Sequence, residues 1–535
     1  MRVYNAMRQL MWRGLCVSGL LALSACATKP QPELGIKWLS TCKDLPVGGL
    51  DPEVVARTQC GIVTVPLDHL NPAKGTLNLD ITRVAAILPQ AREGAIFTNP
   101  GGPGSNGNSV FTVWLGSIWK GYGEKPGGDA YRHLIQAYDV IGITPRGQSG
   151  EIDSQLVCQS DEVITAHNDV TEDRSTGNLE AIQHNAEVLA RGCASQSLAP
   201  YINTDQTARD MEFVRAELKE SKLNYFGNSY GTWLGAWYAG VFPEQVGRMV
   251  LDSSVDWNST FQSASLSGAL EKERIFNHFV AHHAASNPQA YQMGNDPEAI
   301  QASFLRLLPE VRAAMRADSD FYSSAPYLLA ARVLSTWLSK SPQENDFALE
   351  ARSQTHLFSS DSEVDQAAKH AFTNLLAATR NPVPWNGITP GPLKLSPADS
   401  VRTTVLCNDS PASNHRFWVE KENLYAIQYP VGGSHFHARH CAGWTGPQHS
   451  GVPVQNLKKV DSLLMVQAEY DAQTPKAGAF NAFNSLSNAH MILLKETHGH
   501  GVSFADLSEC VNKPVGEYLA YGRKPERLTV CSASG

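Results

Sequence analysis

The sequence predicts an α/β fold, a mostly parallel sheet with helices on both faces, split by a helical cap insertion. Three observations predict it. Strand-like and helix-like segments alternate between residues 138 and 252, as in a parallel sheet joined by crossover helices. From about residue 257 to 400 the pattern is helical with few strands. Buried-strand runs then return at Ser462–Gln467 and Ala489–Leu494.

Taken in order, Gly61–Pro66 and Leu77–Val84 read as strands between Pro and Gly breakers. Gly94–Thr98 is a short apolar run entering the segment NPGGPG, Asn99 to Gly104. Tyr138–Ile143 is a buried strand ending at Pro145-Arg146-Gly147. Asp205–Lys219 has helical spacing, with acids early and lysine late, matching the helix dipole. Leu223–Gly227 is a strand, Thr232–Val241 a helix and Arg248–Asp252 the next strand. In the cap, helices are expected over Leu270–Ala284, Pro297–Ala317, Tyr327–Ser339 and Val364–Thr379, and Val401–Cys407 reads as a returning strand. A chain of 535 residues is too long for one simple core. The division is therefore 1–25 signal peptide, 26–45 tether, 46–256 first part of the core, 257–400 cap and 401–535 second part of the core.

Composition narrows the function. Hydrophobic residues at 42% and charged residues at 18% describe a globular chain. The net charge of -8 and the lack of Lys/Arg runs argue against a nucleic-acid partner. Arg2, Arg8 and Arg13 precede the apolar stretch Leu15–Leu23, and Leu23-Ser24-Ala25-Cys26 follows. This is the signal-peptide pattern. It resembles a bacterial lipoprotein signal, in which cleavage before Cys26 frees that thiol for lipid. The alternative is an ordinary signal cleaved at an Ala. The lipid reading implies an exported, envelope-anchored protein whose membrane contact is the N-terminal anchor. Eight further cysteines, an even number, suit export and disulfides: Cys42, Cys60, Cys158, Cys193, Cys407, Cys441, Cys510 and Cys531. Pairing of sequence neighbours (42–60, 158–193, 407–441, 510–531) is the simplest of 105 connectivities. No CxxC or Cys/His cluster suggests a metal.

The sharpest motif is Gly227-Asn228-Ser229-Tyr230-Gly231, a G-x-S-x-G between a strand and a helix. That is the context of a nucleophile elbow, which makes Ser229 the candidate nucleophile and the chain a member of the α/β-hydrolase fold class. A serine at its free pKa is a poor nucleophile and needs a base, which in turn needs an orienting acid. In this fold the acid and then the histidine follow the serine. Asp471 lies in the loop after one C-terminal strand, and His498 and His500 lie in the loop after the next. His500, between two glycines, is favoured over His498 as base. Asp471 is favoured as acid over Glu469 and over Asp252, whose ordinary reading is a cap or loop hydrogen bond. Acyl transfer also needs backbone donors at the oxyanion. The glycine-rich Asn99–Gly104 segment supplies one, assigned to Gly102, and Tyr230, the residue after the nucleophile, supplies the other.

Together these residues resemble the proline-iminopeptidase/tripeptidyl-aminopeptidase family of serine exopeptidases. NPGGPG (99–104) resembles its oxyanion loop, Tyr138 to Gly147 its following strand and turn, and Thr207 to Arg215 with Gly227 to Gly231 its helix and elbow. Val250 to Asp256 resembles the strand beyond. Residues 415–531 resemble the C-terminal region of the tripeptidyl-aminopeptidase branch. The resemblance implies a triad of Ser229, Asp471 and His500, an acyl-enzyme cycle, a peptide or small acyl substrate, and no metal or organic cofactor. Thr144 and Asn228 depart from commoner family residues. Asp409, in Leu406-Cys407-Asn408-Asp409, matches a Cys-x-Asp feature, read either as an acid for a peptide's amino terminus or as a loop acid beside a disulfide. Glu271, Glu273 and Glu310 are the cap's other candidates for that role. An esterase or amidase uses the same triad, and fold alone does not choose between them. A binding lipoprotein that keeps the fold without catalysis is the third reading, and the intact Ser, Asp, His and Gly set argues against it.

Overall fold

The computed structural model describes residues 33–533 apart from 43–44, 46–47, 106–107, 383–388 and 435. The expected signal peptide and Cys26 lie outside the described residues.

Among the described residues there are twelve strands: β1 Gly35–Trp38, β2 Thr58–Pro66, β3 Thr76–Val84, β4 Gly94–Asn99, β5 Tyr138–Ile143, β6 Gln159–Ile164, β7 Leu223–Asn228, β8 Val246–Asp252, β9 Gly391–Lys394, β10 Leu463–Tyr470, β11 Ala489–His498 and β12 Leu528–Ser532. Ten form one sheet in the order β1-β2-β3-β5-β4-β7-β8-β10-β11-β12. From β5 to β12 neighbours are parallel, whereas β1, β2 and β3 add on antiparallel. Alternate side chains on each strand feed opposite faces, which is why the central strands are apolar throughout. Tyr225, Leu251, Met465 and Met491 pack with Trp233 and Trp237 on one face. Phe226, Val250, Leu464 and Ile492 pack with Trp119, Tyr131 and Tyr518 on the other.

Helices occupy most of 261–380 and carry a core of their own, including Phe276, Phe304, Leu334, Trp337 and Phe372. Tyr470 and Ala472, at the end of β10, pack against it. The first cap helix, Phe261–Ile275, passes so near this loop that a side chain at Gly268 would stand 2.7 Å from the Ala472 carbonyl oxygen. It continues through a π-helical turn, Phe276–His282.

Several expectations need correction. The stretch expected as one helix over Pro297–Ala317 is two, Pro297–Leu305 and Pro309–Ala317. Pro309 opens the second, where its missing N–H costs nothing. Val401–Cys407 is not a strand but part of the helix Pro397–Asn408. Its β-branched run suggested a strand, but Ser396 caps the Asp399 N–H and Pro397 starts the helix. A further helix, His415–Gln428, follows, so the main sheet resumes only at β10. Gly35–Trp38, within the expected tether, is the edge strand β1, and β6 pairs antiparallel with β9 outside the main sheet.

All four neighbouring cysteine pairs are disulfides: Cys42–Cys60, Cys158–Cys193, Cys407–Cys441 and Cys510–Cys531. Among the described residues no helix is long and apolar enough to cross a membrane.

Candidate active site

Ser229 sits between β7 and the helix Tyr230–Val241, with φ 57° and ψ -123°. A non-glycine residue at positive φ is strained and persists only where its surroundings hold it. Here the Ser229 N–H donates to the Asp252 carbonyl at 3.0 Å. The flanking glycines are needed for space. A side chain at Gly227 would meet the Gly231 carbonyl oxygen at 2.5 Å, and one at Gly231 would meet the Asn99 carbonyl oxygen at 2.7 Å. Ser229 is the N-cap of its helix, yet its hydroxyl caps no helical N–H.

Asp471 and His500 are brought together. His500 Nδ1 lies 3.0 Å from Asp471 Oδ2 and 3.1 Å from Oδ1. Asp471 also accepts from the N–H groups of Gln473 and Thr474 at 2.9 Å each, and from the Thr474 hydroxyl at 2.8 Å. Burial pushes the Asp471 carboxyl up, but the His500 ring and the Thr474 donors outweigh it and hold it below its ordinary value. Burial pushes the His500 imidazole down, but Asp471 outweighs it, so the ring titrates above its ordinary value. His500 Nε2 is buried and has no hydrogen-bond partner among the described residues.

The loop that carries His500 is tied to the residues that hold Ser229. Gly501 N–H donates to Ser253 Oγ at 2.7 Å. Asp252 accepts from Val502 N–H at 3.0 Å, from Ser503 N–H at 2.8 Å and from the Ser503 hydroxyl at 2.6 Å. So Asp252, the rival acid, anchors the loop with its carboxylate and the elbow with its carbonyl. The other rivals are also engaged elsewhere. Glu469 pairs with Lys476 at 2.8 Å, and His498 packs edge-on against Phe279 of the cap.

The NPGGPG segment lies against the elbow. A side chain at Gly101, where φ is 103°, would come within 2.7 Å of Ser229 Cβ and 3.1 Å of the Tyr230 nitrogen. The Gly101 N–H is already given to Asn99 Oδ1 at 2.9 Å, so the Gly102 amide is the next one along the loop. Tyr230 is the first residue of its helix, and an N–H at that position has no partner within the helix. Asn228, beside the nucleophile, donates to the Pro100 carbonyl at 3.3 Å, while its Oδ1 is buried and unpartnered. Arg146, from the Pro-Arg-Gly turn, is buried in a two-pronged pair with Asp210 at 2.5 and 2.8 Å, and also binds the Pro66 and Leu67 carbonyls. It ties the end of β2 to the helix Thr204–Glu217.

The four acids considered for an amino terminus separate clearly. Glu310 is exposed at the start of its helix. Glu273 is taken up by the Val431 and Gly432 N–H groups at 2.8 and 3.0 Å. Asp409 is fully buried against Thr204. Glu271, on the first cap helix, is 2% exposed and pairs with Arg274 at 2.9 Å, but its Oε1 has no partner. Burial raises its carboxyl above the ordinary range, against the pull of Arg274 and Lys476, and Asp471 is near enough to add to the rise. Asp252 makes the loop hydrogen bonds of its ordinary reading, whereas Thr474 and the Ser253 clamp were not read from sequence. Their signal is local: polar residues within three positions of Asp471, and two serines directly after a strand. Among the described residues no group of three His, Cys, Asp or Glu side chains is placed to hold a metal.

Residues 137–293 match the family described as alpha/beta hydrolase fold, and residues 429–531 match TAP-like protein. The chain has the α/β-hydrolase fold. It is 28% identical over 495 residues to the tripeptidyl aminopeptidase of Streptomyces lividans, spanning 89% of this chain and 83% of that one. It is 27% identical over 292 residues to serine protease Hip1 of Mycobacterium tuberculosis, 51% of each chain. Over 250 residues it is 31% identical to carboxylesterase B of the same species, covering 46% of this chain and 45% of that one.

Proposed function

We propose that this α/β hydrolase is a serine peptidase that releases short peptides from free N-termini through an acyl-enzyme on Ser229. The observation that carries the hydrolytic reading is the His500–Asp471 pair. Its Nδ1 is fixed on a buried carboxylate while Nε2 is left free, and its loop is tied to the elbow's own anchor. In this reading His500 Nε2 takes the Ser229 proton as Oγ attacks a carbonyl carbon, and Asp471 stabilises the imidazolium. The amides of Gly102 and Tyr230 receive the oxyanion. The imidazolium then protonates the leaving amine, and water, activated by the same ring, releases the acyl fragment and restores Ser229.

Two observations support a peptide over a simple ester. A relative that matches over most of the chain is a tripeptidyl aminopeptidase. The cap helix beside the Asp471 loop also holds Glu271, a buried carboxyl with one oxygen unpartnered. A buried acceptor without a donor is costly, and a substrate ammonium would both satisfy it and favour its charged form. The esterase reading rests on the carboxylesterase B likeness over less than half of the chain. We further propose export: the disulfides agree with it, and the N-terminal pattern ending at Cys26 suits a lipid anchor.

The test is a matched panel of free and N-acetylated tripeptide chromogenic amides beside short acyl esters, with wild type, Ser229→Ala and Glu271→Gln. Turnover of free-amine amides alone, absent in Ser229→Ala, is expected. Glu271→Gln should raise KM for them about ten-fold or more, as loss of a charge-assisted bond does. Turnover of esters with no amide cleavage would replace the peptidase with an esterase.

A further inference from the structure

Asp409 lies at the C-terminal end of the helix Pro397–Asn408 and is fully buried. It makes a short chain of hydrogen bonds. Asp409 Oδ1 accepts the Thr204 N–H at 3.0 Å, and Oδ2 meets the Thr204 hydroxyl. The same hydroxyl lies 2.6 Å from the hydroxyl of Tyr230, whose ring is buried against Phe261. Tyr230 follows the nucleophile, and its amide is one of the two oxyanion donors in the reading above. The Asp409 end of this chain is held firmly. The neighbouring Asn408 donates to the Ala199 and Ile202 carbonyls at 2.8 and 2.9 Å, and Cys407 is bridged to Cys441.

We propose that Asp409 is a positioning residue for the hydrolytic site, one that anchors the Tyr230 ring through the Thr204 hydroxyl and loosens that anchor when it takes a proton. The inference rests on the site reading above, in which Ser229 is the nucleophile and the Tyr230 amide an oxyanion donor.

A charged Asp409 only accepts, so Thr204 donates to it and Tyr230 donates to Thr204, and two hydroxyl hydrogens fill two bonds. A protonated Asp409 brings a third hydrogen. It donates to Thr204, Thr204 turns to Tyr230, and the Tyr230 hydrogen loses its acceptor in this chain while buried. An unmet buried donor is disfavoured, so the ring is held less firmly in that state. Burial pushes the Asp409 carboxyl up to about 7 against the pull of the Thr204 donors and of the neighbouring Trp233 indole, and Asp205 nearby adds to the rise. Both states are therefore populated near neutral pH. The other groups on this side do not replace Asp409 in the switch. Burial holds Tyr230 well above the ordinary phenol range, so it stays neutral. Asp205 is paired with Arg209 at 2.9 Å. Trp233, on the Tyr230 helix, does not titrate, and the His449 imidazole is pushed down by burial.

The experiment is a pH profile of kcat and KM between pH 5.5 and 9 (about the working range of an imidazole base). It compares wild type, Asp409→Asn, Tyr230→Phe and Ser229→Ala. Asn at 409 donates to Thr204 permanently and so mimics the protonated acid. Asp409→Asn should lower kcat about ten-fold at pH 8 and little at pH 6, with KM nearly unchanged, the scale of one hydrogen bond. Its profile should show one ionisation fewer than wild type. Tyr230→Phe keeps the elbow amide and should show the same pH-selective loss, which keeps the test valid if Asp409→Asn folds poorly. A wild-type-like profile in either variant overturns the inference, as does a loss equal at all pH values, the mark of a structural role. Activity retained in Ser229→Ala would instead bring down the site reading, and the inference with it. With Ser229→Ala inactive, an unchanged Asp409→Asn profile overturns the inference alone.

Discussion

The choice between His498 and His500 turns on two residues of sequence, and where each ring points supports His500 as the proposed base. His500 Nδ1 is on Asp471, whereas His498 meets Phe279 of the cap. Replacing His500 by Ala should cut kcat/KM by about 10⁴-fold or more, the usual cost of removing a triad base. His498→Ala should stay within a few-fold of wild type. A pH dependence follows from the sign of the shifts. The base acts neutral, and Asp471 raises its pKa, so the acid limb of kcat/KM should fall above the ordinary imidazole value of about 6.5. In Asp471→Asn burial is opposed only by the Asp252 charge, so the limb should move to lower pH while the maximal rate drops. A limb that does not move would show that the Asp471 charge does not govern the base. At this scale the turn at Ser229 and the Asp471–His500 pairing were legible, since each residue stands in a local motif. The Thr204–Asp409 link was not, because its partners are 205 residues apart in the chain.

At the scale of elements, the elbow works because β7 and its helix are joined by glycines that let two backbone segments touch. Gly231→Ala is the sharpest probe. Its new methyl would stand 2.7 Å from the Asn99 carbonyl, so loop and elbow must separate. A loss of about 2 kcal/mol of stability is expected, the scale of an overpacked site, with a fall in kcat larger than any change in KM. Denaturant melts and kinetics on the same preparation would check both. Elements with one dominant signal were legible: the parallel core strands, and cap helices such as Ala325–Lys340 and Ser362–Arg380. Those where two signals compete were not. Val401–Cys407 is β-branched enough to read as a strand, yet the Ser396-Pro397 start sets a helix. Edge strands such as β1 and β6 are short and partly exposed, so neither periodicity nor an apolar run marks them.

For the whole molecule, the sheet and the cap are two cores in contact at the Asp471 loop, where Tyr470 and Ala472 pack against the cap's interior. The four disulfides close loops of 18 to 35 residues and staple the periphery of these cores. Cys510–Cys531 fastens edge strand β12 to the helix Glu509–Tyr521. On chain-entropy grounds each contributes about 3 kcal/mol, so a reductant should lower the midpoint of thermal unfolding markedly. An unchanged midpoint with all eight thiols titrated would contradict that. The pairing was legible as the simplest of many schemes and needed coordinates to settle. The cap was legible as a helical insertion, but not its close approach to Asp471, which depends on Gly268 lying against Ala472.

The central claim is that Ser229 is the nucleophile and that His500 activates it. The most direct measurement is covalent trapping with a fluorophosphonate, read by intact mass and by peptide mapping of wild type, Ser229→Ala and His500→Ala. One adduct per chain is predicted, on the peptide that contains Ser229, absent in Ser229→Ala and slowed by orders of magnitude in His500→Ala. An adduct on any other residue, or equal labelling of Ser229→Ala, would contradict the account.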